Sequence, residues 1–184
     1  MLLRVLGFLL ESVFVLLIGA ALLRAYMTGL RVNMMVQPGV FVMALTNWLV
    51  KPLRRWLPQS LLRSRLDWAS VLAALVLALA YALLWGGLIG WLAGDAVGMG
   101  FGGGLLAMAL KLLLRVAVQT MSMLVLGYAL ISWVQPGSPV HGLLARLVDP
   151  LLSPLRRLVP AIGGVDLSAL VLLLLLQICL MVLG

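Results

Sequence analysis

The sequence predicts an all-α membrane protein with four transmembrane helices in two parallel repeats, each repeat carrying a short interfacial amphipathic helix. Three observations lead there. Of 184 residues, 65% are hydrophobic and only 10% charged, with a mean hydropathy of +1.23, whereas soluble chains are about one quarter charged. Four charge-poor stretches match the roughly 20 helical residues that cross a ~30 Å hydrocarbon core: residues 5–23, 68–94, 105–134 and 167–184. Finally, PLRRWLP at 52–58 returns as PLRRLVP at 154–160, and an internal repeat of this kind organises everything around it.

In chain order, the first stretch follows Arg4 as a secretory signal would, but it is long, Glu11 interrupts it, and no small-residue cleavage site precedes Arg24. It is expected to stay as an uncleaved helix. The basic segment after it holds Arg31, Lys51, Arg54, Arg55, Arg63 and Arg65; the one after the third stretch holds Arg146, Arg156 and Arg157. The connector from Gly94 to Gly104 has Asp95 and no basic residue. By the positive-inside rule the Arg-rich loops are cytoplasmic, and both termini and the connector are outside. The organisation is thus membrane repeat 1 over 1–94, a Gly-rich outer connector over 95–104, and membrane repeat 2 over 105–184. Tyr26 precedes Pro52 by the same distance as Tyr128 precedes Pro154, and Asp67 and Asp166 each open an apolar run. Each unit contains two spans, so the copies keep one orientation.

The loops carry helical stripes. Apolar side chains at 140, 143, 144, 147, 148, 151, 152, 155, 158 and 159 oppose His141, Arg146, Asp149, Ser153, Arg156 and Arg157. In the first copy Leu45, Trp48, Leu49, Leu53, Trp56 and Leu57 oppose Thr46, Asn47, Lys51, Arg54 and Arg55. Such helices lie in the interface with the apolar face down. The prolines Pro52, Pro58, Pro150, Pro154 and Pro160 are expected to turn the chain there. Asp149-Pro150 and Ser153-Pro154 read as N-caps with proline at the first helical position, giving two short pieces. Lys51, Arg54, Arg55, Arg156 and Arg157 are expected at anionic headgroups or an acidic partner, or simply as an anchor that sets topology.

The order Ser138-Pro139, Asp149-Pro150-Leu151-Leu152-Ser153-Pro154-Leu155-Arg156-Arg157-Leu158-Val159-Pro160, then Gly163-Gly164-Val165-Asp166-Leu167-Ser168 resembles the YggT (YlmG) family of small bacterial membrane proteins. The resemblance spans nearly the whole chain, because members of this length carry two copies. The first copy departs from the pattern: Asn47-Trp48 replaces Asp-Pro, Lys51 stands opposite Ser153, and no Gly-Gly precedes Asp67. The resemblance implies the fold and topology. For bacterial members it implies a connection with osmotic tolerance and the neighbourhood of cell division, and for plastid relatives with cytochrome assembly and nucleoid distribution. It implies no enzymatic reaction.

Chemistry-bearing residues are few. Cys179 is the only cysteine and His141 the only histidine, so neither a disulfide nor a metal set is expected, and no cofactor. The net charge of +8 would suggest nucleic acid in a soluble protein, but its placement beside spans points to the bilayer. Asp67 and Asp166 read as N-caps rather than a catalytic carboxylate pair, and His141 as a solvated side chain. Gly86, Gly90 and Gly94 form a small-residue ridge for close helix contact, within one chain or between copies. Glu11, Lys111 and Arg115 are intramembrane charges, functional by default. The 102-residue offset puts Glu11 level with Leu113, between the two cations, which otherwise would snorkel to the surface. These residues predict a non-catalytic inner-membrane scaffold or assembly factor acting through its basic interfacial helices on lipid or a membrane-protein partner. The alternative is a transport or osmotic-response component built on the Glu11 cluster and Gln119.

Overall fold

The computed structural model describes residues 1–35, 38–58, 67–93, 101–157 and 166–183. The described residues form six helices and no strand: α1 (Leu2–Gly29), α2 (Gly39–Trp56), α3 (Trp68–Ala93), α4 (Phe101–Val134), α5 (Pro139–Arg156) and α6 (Leu167–Leu183). The chain separates into two compact units, 1–116 and 117–184.

Among the described residues three helices are long and apolar enough to cross a membrane: Leu3–Gly29, Trp68–Leu88 and Gly104–Val134. At 1.5 Å per residue the shortest of these, 21 residues, spans about 32 Å, matching a hydrocarbon core of ~30 Å. Their outer faces carry bare apolar side chains such as Phe8, Val13, Leu84 and Leu114, which water would penalise and lipid does not. The protein is therefore embedded in a membrane. Leu167–Leu183 is equally apolar but shorter, at 17 residues.

In the first unit α3 turns an alanine face inward: Ala69, Ala73, Ala74, Ala78 and Ala82 are buried against Ile18 and Ala21 of α1, with Ala109, Leu112 and Val116 of α4 in the same core. Small residues at i and i+4 let helix backbones approach closely, which in lipid supplies the packing energy that the hydrophobic effect cannot. The closest approach is at Gly7, where a Cβ would lie 2.4 Å from the Trp85 ring. Of the expected glycine ridge, Gly86 meets the Leu105 side chain, and Gly94 lies outside the described residues.

The turn from α1 into α2 begins at Arg31, held in the left-handed region with φ 53°, while Val32 N–H closes onto the Met27 carbonyl at 3.0 Å. Gly39 then starts α2 so close to the Met34 backbone that a Cβ would lie 2.7 Å from Met34 Cα. Both loop helices are amphipathic, but the buried stripe of α2 is Gly39, Val42, Thr46 and Val50. Thr46, read from sequence as polar-face, is inside, and Trp48 and Trp56, read as apolar-face, are exposed. Thr46 is buried because its hydroxyl is occupied on both sides, by Arg24 and by the Val42 carbonyl.

Among the buried side chains of the second unit are Val125 and Tyr128 of α4, Leu147, Val148 and Leu152 of α5, and Ser168, Ala169 and Leu172 of α6. The prolines act differently from expectation. α5 runs unbroken from Pro139 to Arg156 with Pro150 and Pro154 inside it, and Pro52 likewise sits inside α2. A proline removes the bond to the carbonyl four residues back, and here those carbonyls belong to Arg146, Pro150 and Trp48, all on exposed faces, where solvent or headgroups satisfy them. The N-cap of α5 is Ser138, with proline next to it: Ser138 Oγ accepts the His141 N–H at 3.1 Å. Pro58 does follow a helix end, the extended residue Leu57 preceding it. Pro160, Gly163 and Gly164 lie outside the described residues.

Candidate functional site

Each unit contains an arginine clamp built from the first arginine of its Arg-Arg pair. In the first unit, Arg54 Nη2 donates to Asp67 Oδ2 at 2.7 Å, and the Ser70 hydroxyl donates to the same oxygen at 2.9 Å. Arg24 comes from α1 to complete the cluster, its Nε 3.7 Å from Asp67 Oδ2. Its Nη1 donates to Thr46 Oγ1 at 2.8 Å and Asn47 Oδ1 at 3.0 Å. Arg24 is only 6% exposed, so this guanidinium is a buried charge made tolerable by one carboxylate and two neutral acceptors. The cluster ties α1, α2 and α3 together where the first basic loop begins and ends.

In the second unit, Arg156 forks onto Asp166 Oδ2 through Nη2 at 2.9 Å and Nε at 3.0 Å, and reaches Asp149 Oδ1 through Nη1 at 2.8 Å. The Tyr128 hydroxyl accepts from Arg156 Nη2 at 2.9 Å and lies 3.4 Å from Asp166 Oδ2. Asp166 Oδ1 accepts the Ser168 N–H at 3.2 Å and the Ser168 hydroxyl, so it caps α6 while it holds the arginine. Burial alone would raise the Asp166 carboxyl, but the Ser168 and Arg156 hydrogen bonds outweigh it and hold the group below the usual carboxylate range. Arg156 is correspondingly pushed up, the Asp166 bond overcoming its own desolvation. His141, expected in solvent, stacks on Tyr128 with ring centroids 5.5 Å apart.

Arg54 and Arg156 are each held by intramolecular carboxylates, with side chains still 47% and 38% exposed. Their neighbours Arg55 and Arg157, with Lys51, are exposed. The paired arginines thus divide into one that fixes the loop helix and one that points away from the fold. Asp166 caps α6 and receives the clamp, whereas the Asp67 carboxylate takes the Arg54 guanidinium and the Ser70 hydroxyl. Sequence reasoning missed Arg24, which reads as the ordinary end of an apolar run. Its signal was a lone cation one turn inside α1 with Thr46 and Asn47 on the next helix.

At the other end of the first unit, Arg115 Nη1 lies 3.8 Å from Glu11 Oε1, with half-exposed side chains. That separation is ion-pair reach and too long for a hydrogen bond. Lys111, one turn from Arg115, is exposed on the protein surface. Among the described residues no group of three or more His, Cys, Asp or Glu converges as a metal site would require, and every buried side-chain nitrogen or oxygen has a partner.

Long apolar helices joined by amphipathic loop helices, each loop closed by an arginine–aspartate clamp, define a small polytopic helical membrane protein. The chain belongs to the CCB3/YggT family, whose sequence profile matches residues 2–88 and 107–184. It is 33% identical over 174 residues to the protein YggT of Escherichia coli K12, covering 94% of this chain and 86% of that one. It is 32% identical over 172 residues to a Vibrio alginolyticus protein named for the proC 3′ region, covering 93% and 89%. No solved structure matches.

Proposed function

We propose that the protein is a non-catalytic scaffold or assembly factor of the inner membrane, with four spans in two parallel repeats and both amphipathic helices on the cytoplasmic face. Leu167–Leu183 is the fourth span in this reading, and both termini are outside. One observation carries the function: in each unit the clamp locks the first arginine of the pair and leaves the second, Arg55 or Arg157, exposed on a helix whose orientation is fixed. A rigid cationic platform suits docking of anionic headgroups or an acidic segment of a partner, each near-surface cation contributing about 1 kcal/mol. Crosslinking and co-purification from native membranes test this. Loss of the captured partner on combining Lys51→Ala, Arg55→Ala and Arg157→Ala, with the fold intact, is the expected result; an unchanged set of partners would refute it. Cysteine labelling at Ser138 and Gly100, in a Cys179→Ser background, tests the orientation, and labelling of Ser138 from outside intact cells would overturn it.

A second reading, a transport or osmotic-response component, is favoured by the Glu11–Arg115 approach within an apolar helix pair. It predicts that Glu11→Gln abolishes function while the Arg55 and Arg157 changes are tolerated, the reverse of the scaffold.

A further inference from the structure

Between the N-terminal half of α1 and the C-terminal half of α3, an open cavity of about 420 Å³ is lined by two opposite charges, Arg4 and Glu11, and by Phe8, Tyr81 and Trp85. Its volume suits a small-molecule group. Gly7 makes it possible: with no side chain there, the Trp85 ring sits against the α1 backbone and forms the wall. Arg4 and Glu11 are seven residues apart, two turns on one face, about 10 Å along the axis. Helical side chains lean toward the N-terminus, so Glu11 leans toward the Arg4 end. Arg115 approaches the Glu11 carboxylate no closer than 3.8 Å, leaving it able to accept from a nearer donor.

A cation, a carboxylate and aromatic rings lining one cavity match a zwitterion. The arginine takes a phosphate, and the rings and carboxylate take an ammonium. Phe8, one of the lining residues, is 69% exposed and belongs to the apolar helix Leu3–Gly29, whose bare side chains suit lipid better than water. We propose that the cavity binds the headgroup of a phosphatidylethanolamine-class lipid, with the phosphate on Arg4, the primary ammonium on Glu11, and the acyl chains outside along α1. This site is independent of the cytoplasmic platform proposed above.

The test is native mass spectrometry of the delipidated full-length protein, titrated with phosphatidylethanolamine, phosphatidylglycerol and phosphatidylcholine of identical acyl chains, with soluble glycerophosphoethanolamine as a separate arm. The expected result is about tenfold tighter binding of phosphatidylethanolamine than of the other two, the scale of one charge-assisted contact. Phosphatidylglycerol lacks the ammonium, and the quaternary group of phosphatidylcholine cannot donate to Glu11. Glu11→Gln should erase the preference, Arg4→Ala should weaken both phosphatidylethanolamine and phosphatidylglycerol, and Arg55→Ala should change nothing. Phe8→Ala alters an exposed side chain without burdening the fold, and should cost several-fold in phosphatidylethanolamine affinity. Equal binding of the three lipids by the unmodified protein would overturn the proposal, as would a phosphatidylethanolamine affinity left unchanged by both Arg4→Ala and Phe8→Ala. Binding of the soluble zwitterion as tight as that of the lipid would overturn the assignment of a lipid as the source.

Discussion

Neutralising Asp67 should destabilise this protein more than any other single loss of charge described above. Its side chain is 4% exposed and, among the described residues, is the only carboxylate paired with Arg24, whose side chain is 7% exposed, and Arg54, which is 47% exposed. Asp67→Asn keeps the size and one acceptor oxygen but strands a buried guanidinium. Breaking a buried pair from one side costs about 3–5 kcal/mol, and for a chain of 184 residues each kcal/mol moves Tm by about 2–4 °C, so a fall of roughly 6–20 °C is expected. Arg54→Ala removes the half-exposed partner and leaves Asp67 with Arg24 and Ser70, so it should cost no more than about 1 kcal/mol. Arg24→Met combined with Asp67→Asn removes the stranded cation along with its carboxylate, and should recover a large part of the loss. Thermal unfolding of the purified protein in one fixed detergent, followed by intrinsic fluorescence and by solubility after heating, reads the parent and all three variants. The reasoning fails if Asp67→Asn is as mild as Arg54→Ala, or if the double variant is no better than Asp67→Asn alone.

Three further outcomes follow from particular contacts. Asp166 is held below its ordinary carboxyl value in the fold, so its contribution is present above the unfolded pKa of about 3.9 and is lost as pH falls through the lower folded value; an acid limb of the stability curve that is missing in Asp166→Asn checks this. Gly39→Ala should destabilise by forcing a Cβ against the Met34 backbone, whereas Gly87→Ala, with open space around it, should be neutral or stabilise by up to about 1 kcal/mol through helix propensity; paired melting curves decide between the two signs. If Glu11 and Arg115 lie within hydrocarbon, Glu11→Gln should lower Tm more than the triple change Glu11→Gln, Lys111→Gln, Arg115→Gln, since only the single change strands cations; near-neutrality of both would place the charges in the aqueous interface.

The sequence by itself determined that this is a helical membrane protein, because long charge-poor runs leave the backbone no way but helix to satisfy its hydrogen bonds in lipid; the resemblance to the YggT family is carried by the motif from Ser138 to Ser168. It also determined where the loop helices lie, since a 3.6-residue stripe is legible without any partner. Arginine and aspartate at fixed positions beside the spans marked the residues of the clamps. What those residues do was decided by tertiary structure. An Arg-Arg pair reads as two equivalent surface cations; only the packing of α2 beside α3, and of α5 beside α6, turns Arg54 to Asp67 and Arg156 to Asp166 and leaves Arg55 and Arg157 outward. Thr46 moved to the buried stripe of α2 because its hydroxyl meets the buried Arg24 guanidinium, a requirement set on another helix. Pro150 and Pro154 read as helix breaks because a local rule counts the missing N–H; the fold tolerates them because the carbonyls they orphan are exposed while Leu147, Val148 and Leu152 hold the opposite face.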